Sequence, residues 1–163
     1  MQGCAVLWLL PFGKESDPPS PCIIPPDLNY HPRKETPKHL THTALFASDL
    51  ERTRDFFTTY FDCTAGELYH NAATGFRSYF LTFSGGGILE LMSMPGIAAP
   101  DATRRCGLDH IAICVGSPRQ VDDLTARLSA DGYEILSPPR TTGDGYYESC
   151  VAAPDGLRVE LTA

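Results

Sequence analysis

Several features are missing from this sequence, and each absence narrows what the chain can be. The apolar run from Ala5 to Leu10 falls far short of the ~20 residues that a membrane-spanning helix needs. The six cysteines (Cys4, Cys22, Cys63, Cys106, Cys114 and Cys150) contain no C-x-x-C pair. A zinc ribbon or a disulfide framework is therefore not expected, and the thiols should be reduced and mostly buried. No basic stripe interleaved with aromatics occurs, and 13 Lys and Arg face 20 Asp and Glu for a net charge of −7. Binding to a phosphate backbone wants the opposite sign. What is left is an acidic, cytoplasmic protein acting on a small molecule, with no nucleic-acid and no membrane partner.

The 163 residues, 42% hydrophobic and 20% charged, suit one globular domain or two small modules sharing a core. More than half of the fourteen prolines fall within residues 11–37, a density that forbids regular structure. Residues 1–38 are accordingly expected to be a disordered tail. A basic n-region and a small-residue cleavage site are both wanting, which favours a leader or an upstream start over an export signal.

From residue 39 the sequence repeats itself. HLTHTALFASDLERTRDFF opens one unit and GLDHIAICVGSPRQVDDLTARL opens another, spanning residues 39–97 and 107–163. Each begins with a short alternating strand that contains a histidine, then a polar cap, then an amphipathic helix. The first helix should start at Ser48 or Asp49, whose side chains can accept hydrogen bonds from first-turn N–H groups. Leu50, Phe57 and Phe61 share a face, with Thr53 between them. The second helix carries Ser117 and Gln120 as a capping box, Pro118 at the first helical position and Gly132 as its stop. Val121, Leu124 and Leu128 form its apolar stripe. Three strands should follow each helix, at 64–70, 76–84 and 87–94 and at 133–137, 146–153 and 157–162. Gly85-Gly86-Gly87 and Pro154-Asp155-Gly156 mark turns between them. The fold class is α+β, with the order β-α-β-β-β occurring twice.

Strand residues alternate between faces. Thr43, Leu45 and Ala47 share one face of the first strand, and Ile111, Ile113 and Val115 the equivalent face of its counterpart. These should cover the helices. His42 and His110 then project from the opposite side, each two residues before an alanine. In the last strands Leu89 and Leu91, and Val159 and Leu161, face the helices, which turns Glu90 and Glu160 away. The two histidines are 68 positions apart and the two glutamates 70, so the repeat register nearly holds. One strand histidine alone is commonly structural, and one strand glutamate is commonly a surface residue. Four such residues at matching points are different, because a carboxylate within a curved sheet is costly unless paired or bound to a metal. Two imidazoles and two carboxylates without a thiolate suit a divalent ion of borderline hardness. Nickel, zinc, cobalt, iron and manganese all remain open.

HTALFASDLERTRDFF, ILELMSMP, GLDHIAICV and APDGLRVEL resemble the metal-bearing segments of the vicinal oxygen chelate superfamily, which holds glyoxalase I, bleomycin resistance proteins and ring-cleaving dioxygenases. The likeness covers residues 39–163. It implies two βαβββ modules curved into an open barrel of mixed sheet around one metal, with His42, Glu90, His110 and Glu160 as ligands. The His/Glu/His/Glu set is most similar to that of glyoxalase I, which makes the chain an expected relative of lactoylglutathione lyase. The ring-cleaving enzymes typically use two histidines and one glutamate. Glyoxalase I enzymes generally carry an arginine four residues after the first histidine to hold glutathione, and Phe46 stands there instead.

The chemistry expected is a lyase or isomerase reaction that moves a proton α to a carbonyl. The metal polarises the carbonyl, and Glu160 works as base with Glu90 for the reverse step. Arg77 and Arg140 are candidates for holding an anionic part of the substrate. An iron(II)-dependent ring-cleaving dioxygenase is the alternative enzyme, and a drug- or metabolite-binding module without catalysis is the other. The spacing leaves open whether the site forms within one chain or across a homodimer.

Overall fold

Two short parallel strand pairings, one in each repeat, fix where the histidines and glutamates stand. The computed structural model describes residues 38–98 and 106–163; the expected tail at 1–38 lies almost wholly outside them. Residues His39–Ala163 form one compact unit. The first repeat comprises β1 (Thr43–Phe46), α1 (Leu50–Tyr60), β2 (Cys63–Ala65), β3 (Tyr69–Asn71), β4 (Phe76–Phe83) and β5 (Ile88–Ser93). The second comprises β6 (His110–Cys114), α2 (Pro118–Ala130), β7 (Ile135–Thr141), β8 (Tyr147–Ala152) and β9 (Arg158–Thr162).

The sheets run β1-β5-β4-β2, with β3 also paired to β4, and β6-β9-β8-β7. In both, the first strand lies parallel to the last and the remaining pairs are antiparallel. The result is α+β with two mixed, unclosed sheets. In the first, the expected strand at 64–70 is two strands, β2 and β3: Gly66 N–H still bonds the Phe80 carbonyl in the β2–β4 register, but the pairing with β4 has slipped by one residue where it resumes at Tyr69 opposite Ser78. In the second, β7 runs on to Thr141 through Pro138 and Pro139. It is an edge strand with register shifts before and after Ser137, and such a place tolerates residues that cannot donate to a ladder.

Both helices begin as their caps dictate. The Asp49 side chain accepts from Arg52 N–H, and the Ser117 hydroxyl accepts from Gln120 N–H behind Pro118. Leu50, Thr53, Phe56 and Phe57 of α1 are buried against Leu81, Leu89 and Leu91. Val121 and Leu128 of α2 lie in the same cluster with Val151, Val159 and Leu161. Phe56, absent from the expected stripe, is buried because it meets the second repeat, its ring 5.0 Å from that of Tyr133. Among the described residues no helix is long and apolar enough to cross a membrane.

Candidate metal centre

The helix-facing residues of β5 and β9, Leu89, Leu91, Val159 and Leu161, are buried, and period-two alternation turns Glu90 and Glu160 to the opposite faces. His42 lies one residue before β1, and His110 opens β6. His42 Nε2 stands 3.7 Å from a Glu90 carboxylate oxygen, and His110 Nε2 stands 3.2 Å from one of Glu160. The glutamate side chains are 16% and 19% exposed against 39% and 38% for the histidines. The carboxylate is thus the more buried member of each pair and the imidazole the more exposed one.

The ladders carry the likeness further. Ala44, Glu90 and Phe80 lie in one row of the first sheet, and Ala112, Glu160 and Cys150 in one row of the second. The small alanine beside each glutamate leaves room above the carboxylate. Around the second pair, Asp109 Oδ2 lies 3.3 Å from His110 Nδ1 and 3.5 Å from Arg158 Nε. That nitrogen is buried without a hydrogen bond among the described residues. Burial also pushes the Cys150 thiol up from its ordinary pKa. The Thr41 hydroxyl and His42 Nδ1 are 3.1 Å apart.

Each pair offers one imidazole nitrogen and one carboxylate to a divalent ion, and the donor chemistry fits such an ion. Among the described residues, however, no three His, Cys, Asp or Glu side chains come together as a metal cluster. The two His–Glu pairs are thus not joined into one group among the described residues.

The two candidate arginines part company. Arg140 pairs across the ladder with Glu148, 3.1 Å away, and Glu148 lies opposite Thr162 on the Glu160 side of the sheet. Arg77 does not reach the Glu90 face. It shares the helix-facing side of β4 with Tyr79 and Leu81 and binds Glu51 of α1 at 2.7 Å. Glu51 also accepts from Arg54 and from the Tyr79 hydroxyl, so Arg77 is engaged on the side of the sheet opposite Glu90, not beside the His–Glu pair as expected. The reason is local, because β4 alternates from Leu81 backwards and an odd position must face the helix. The same alternation exposes Phe80, a residue that phasing FRSYFLTF would have placed beside Glu90. The cysteines also differ from expectation. Of those described, Cys150 is buried and Cys63 half-buried, but Cys106 and Cys114 are exposed.

A model of the glyoxalase/bleomycin resistance protein/dioxygenase superfamily matches residues 39–161. An uncharacterized protein of Bacillus subtilis (strain 168), YqjT, is 31% identical over 126 residues, covering 75% of this chain and 96% of that one. Among solved structures, a glyoxylase/bleomycin resistance protein/dioxygenase domain from Frankia sp. EAN1pec superposes with a TM-score of 0.66 at 22% identity, over 78% of this chain and 98% of that one. Glyoxalase I from Zea mays gives 0.64 at 23%, over 75% of this chain and 43% of that one. The fosfomycin resistance protein FosX from Listeria monocytogenes, in complex with Mn(II) and sulfate, gives 0.60 at 21%, over 78% and 93%.

Proposed function

The chain belongs to the glyoxalase/bleomycin resistance protein/dioxygenase superfamily, and on that premise we propose a metal-dependent lyase or isomerase that moves a proton α to the carbonyl of a small molecule. Its site is assembled from two copies of the chain. The observation that supports this reading is the pair of matched His–Glu contacts, 3.7 and 3.2 Å, which among the described residues do not join into one cluster. A two-fold dimer that sets the first repeat of one copy against the second repeat of its partner would complete two equal sites. His42 and Glu90 from one protomer, with the same two residue types from the other repeat (His110 and Glu160), would then hold one ion. FosX, a relative in fold, was solved with Mn(II); nickel, zinc, cobalt and iron suit the same donors.

When bound, the ion supplies Lewis-acid polarisation of the substrate carbonyl. The chain supplies the rest. Glu160 is the base that takes the α-proton, and Glu90 is the base for the reverse direction. His110, braced by Asp109 on its far nitrogen, keeps its Nε2 aimed at Glu160. Arg140 is the cleft-side cation for an anionic part of the substrate. Phe46 stands where glutathione-dependent relatives are expected to hold their cosubstrate, which supports a different compound.

Elemental analysis of the purified full chain is the first test. About one divalent ion per chain is expected, lost in both His110→Ala and Glu90→Ala. Retention without Glu90 would point to the two-histidine, one-glutamate dioxygenase instead, and no uptake at all would leave a binding module. Sharing between protomers has its own test. A His42→Ala/Glu90→Ala chain and a His110→Ala/Glu160→Ala chain should each be metal-free alone, yet regain about one ion per mixed dimer when refolded together. A site contained in one chain would give none.

A further inference from the structure

The two repeats provide an internal control for one another. Their ladders superimpose row by row, yet the side chains around the two glutamates differ in kind. In the first sheet Glu90 is ringed by Phe80 in its own row, by Phe46 and Met92 in the next row, and by Ile88 in the row before. In the second sheet the same places hold Cys150, Cys114, Thr162 and Arg158. The second sheet folds without an apolar ring at these places, so the fold does not require one in the first.

Nor is the ring buried in the core. Phe46 is 46% exposed, Phe80 44% and Ile88 39%, while the apolar partners of α1 lie on the opposite face. The Phe80 ring meets His42 edge-on with centroids 5.5 Å apart. An aromatic surface is thus held directly against one proposed ligand and in the ladder row of the other. Exposed apolar area of this kind, concentrated beside polar groups aimed the same way, marks a ligand site.

We propose that the face around Glu90 seats an aryl or branched-alkyl arm of the substrate, in van der Waals contact with Phe46, Phe80 and Ile88. The inference deepens the reading given above and rests on it for the position of the reacting carbonyl. The substrate class is therefore an α-hydroxycarbonyl or related compound whose arm is bulky and apolar. A ring lying on Phe80 and Phe46 gains both buried area and aromatic contact, whereas a methyl group reaches neither.

The test compares benzohydroxamate with acetohydroxamate, two bidentate oxygen donors that differ only in the arm, by calorimetry on the full chain loaded with zinc. The aryl compound should bind about tenfold more tightly, the scale expected for burying part of a phenyl ring. Phe80→Ala and Phe46→Ala should each erase most of that preference, Phe80→Leu less of it, and Tyr147→Phe, which removes only a hydroxyl bonded to Asp122 of α2 in the other repeat, none. Equal affinities in the unmodified protein would overturn the proposal, as would a preference that survives both phenylalanine substitutions. So would variants that lose the dimer by light scattering while keeping the preference, since the rings would then be interface residues. If the chain takes up no metal, the reading of its function fails but the arm is still tested. Saturation transfer from the metal-free protein to the benzohydroxamate ring should be seen and should vanish in Phe80→Ala; no transfer would overturn the proposal.

Discussion

Thr125 and Ser149 form a buried hydroxyl pair, 2.6 Å apart, between α2 and β8. Thr125 also donates to the Val121 carbonyl, so its single proton is engaged and Ser149 must be the donor to it. The two substitutions are therefore unequal. Thr125→Val keeps shape but strands a buried Ser149 hydroxyl, and should destabilise the fold by about 1–3 kcal/mol. Ser149→Ala leaves Thr125 its carbonyl partner and should be milder. Urea unfolding of both variants checks the order. Neither residue stood out in the sequence, because a polar residue on a helix face is read as solvated until a partner across the interface is known. Cysteine reactivity is another matter of single residues. Exposed Cys106 and Cys114 should alkylate readily with iodoacetamide. Cys63, whose thiol desolvation pushes up to about 11, and buried Cys150 should resist until the chain unfolds.

Elements with strong local signals came out where their residues pointed. The α2 boundaries follow from Ser117, Pro118 and Gly132, and α1 begins after Asp49. Asp49→Ala should lower stability by about 1 kcal/mol through loss of the cap, readable as a shift in the urea midpoint without a change in slope. Where the signal was weaker, the neighbours decided. The strand expected at 64–70 breaks into β2 and β3 only because its pairing with β4 slips by one residue between Ala65 and Tyr69. Pro138 and Pro139 sit inside β7 only because that strand is an edge. Phe56 lies outside the stripe of Leu50, Phe57 and Phe61, yet it is almost fully buried, since a residue off the main stripe can still meet a second repeat.

For the molecule as a whole, the two repeats share one core cluster and are also joined by specific polar contacts. The Ser48 backbone N–H donates to Asp155 at 2.7 Å, and the Ser48 hydroxyl donates to the same carboxylate. Asp155 itself adopts φ 60° in a 3-10 turn, a left-handed conformation tolerated by aspartate. The Tyr60 hydroxyl donates to Asp131 at 2.7 Å beneath the Arg127 guanidinium. That hydrogen bond, with desolvation, pushes the Tyr60 phenol up to about 12 from an ordinary value of 10.0. A raised folded-state pKa stabilises the protonated, folded form. The contribution is therefore complete below pH 10 and is lost as pH rises toward 12. The stability difference between the unmodified protein and Tyr60→Phe should be constant up to about pH 10 and shrink above it; a difference that stays level through that window would show the bond to be idle.

The sequence by itself determined the repeat, the helix caps and the faces on which His42, Glu90, His110 and Glu160 stand. Those follow from near-neighbour rules: a period of two along a strand, and hydrogen bonds that close within one turn of helix. Only the tertiary structure decided that the two His–Glu pairs are not joined into one group among the described residues, that Arg77 turns to Glu51 rather than to the cleft, and that aromatic rings surround one glutamate and polar groups the other. The physical reason is that alternation fixes a side chain's face relative to its own strand. Which strands lie side by side, and how one sheet is set against another, depends on packing between residues far apart in the chain.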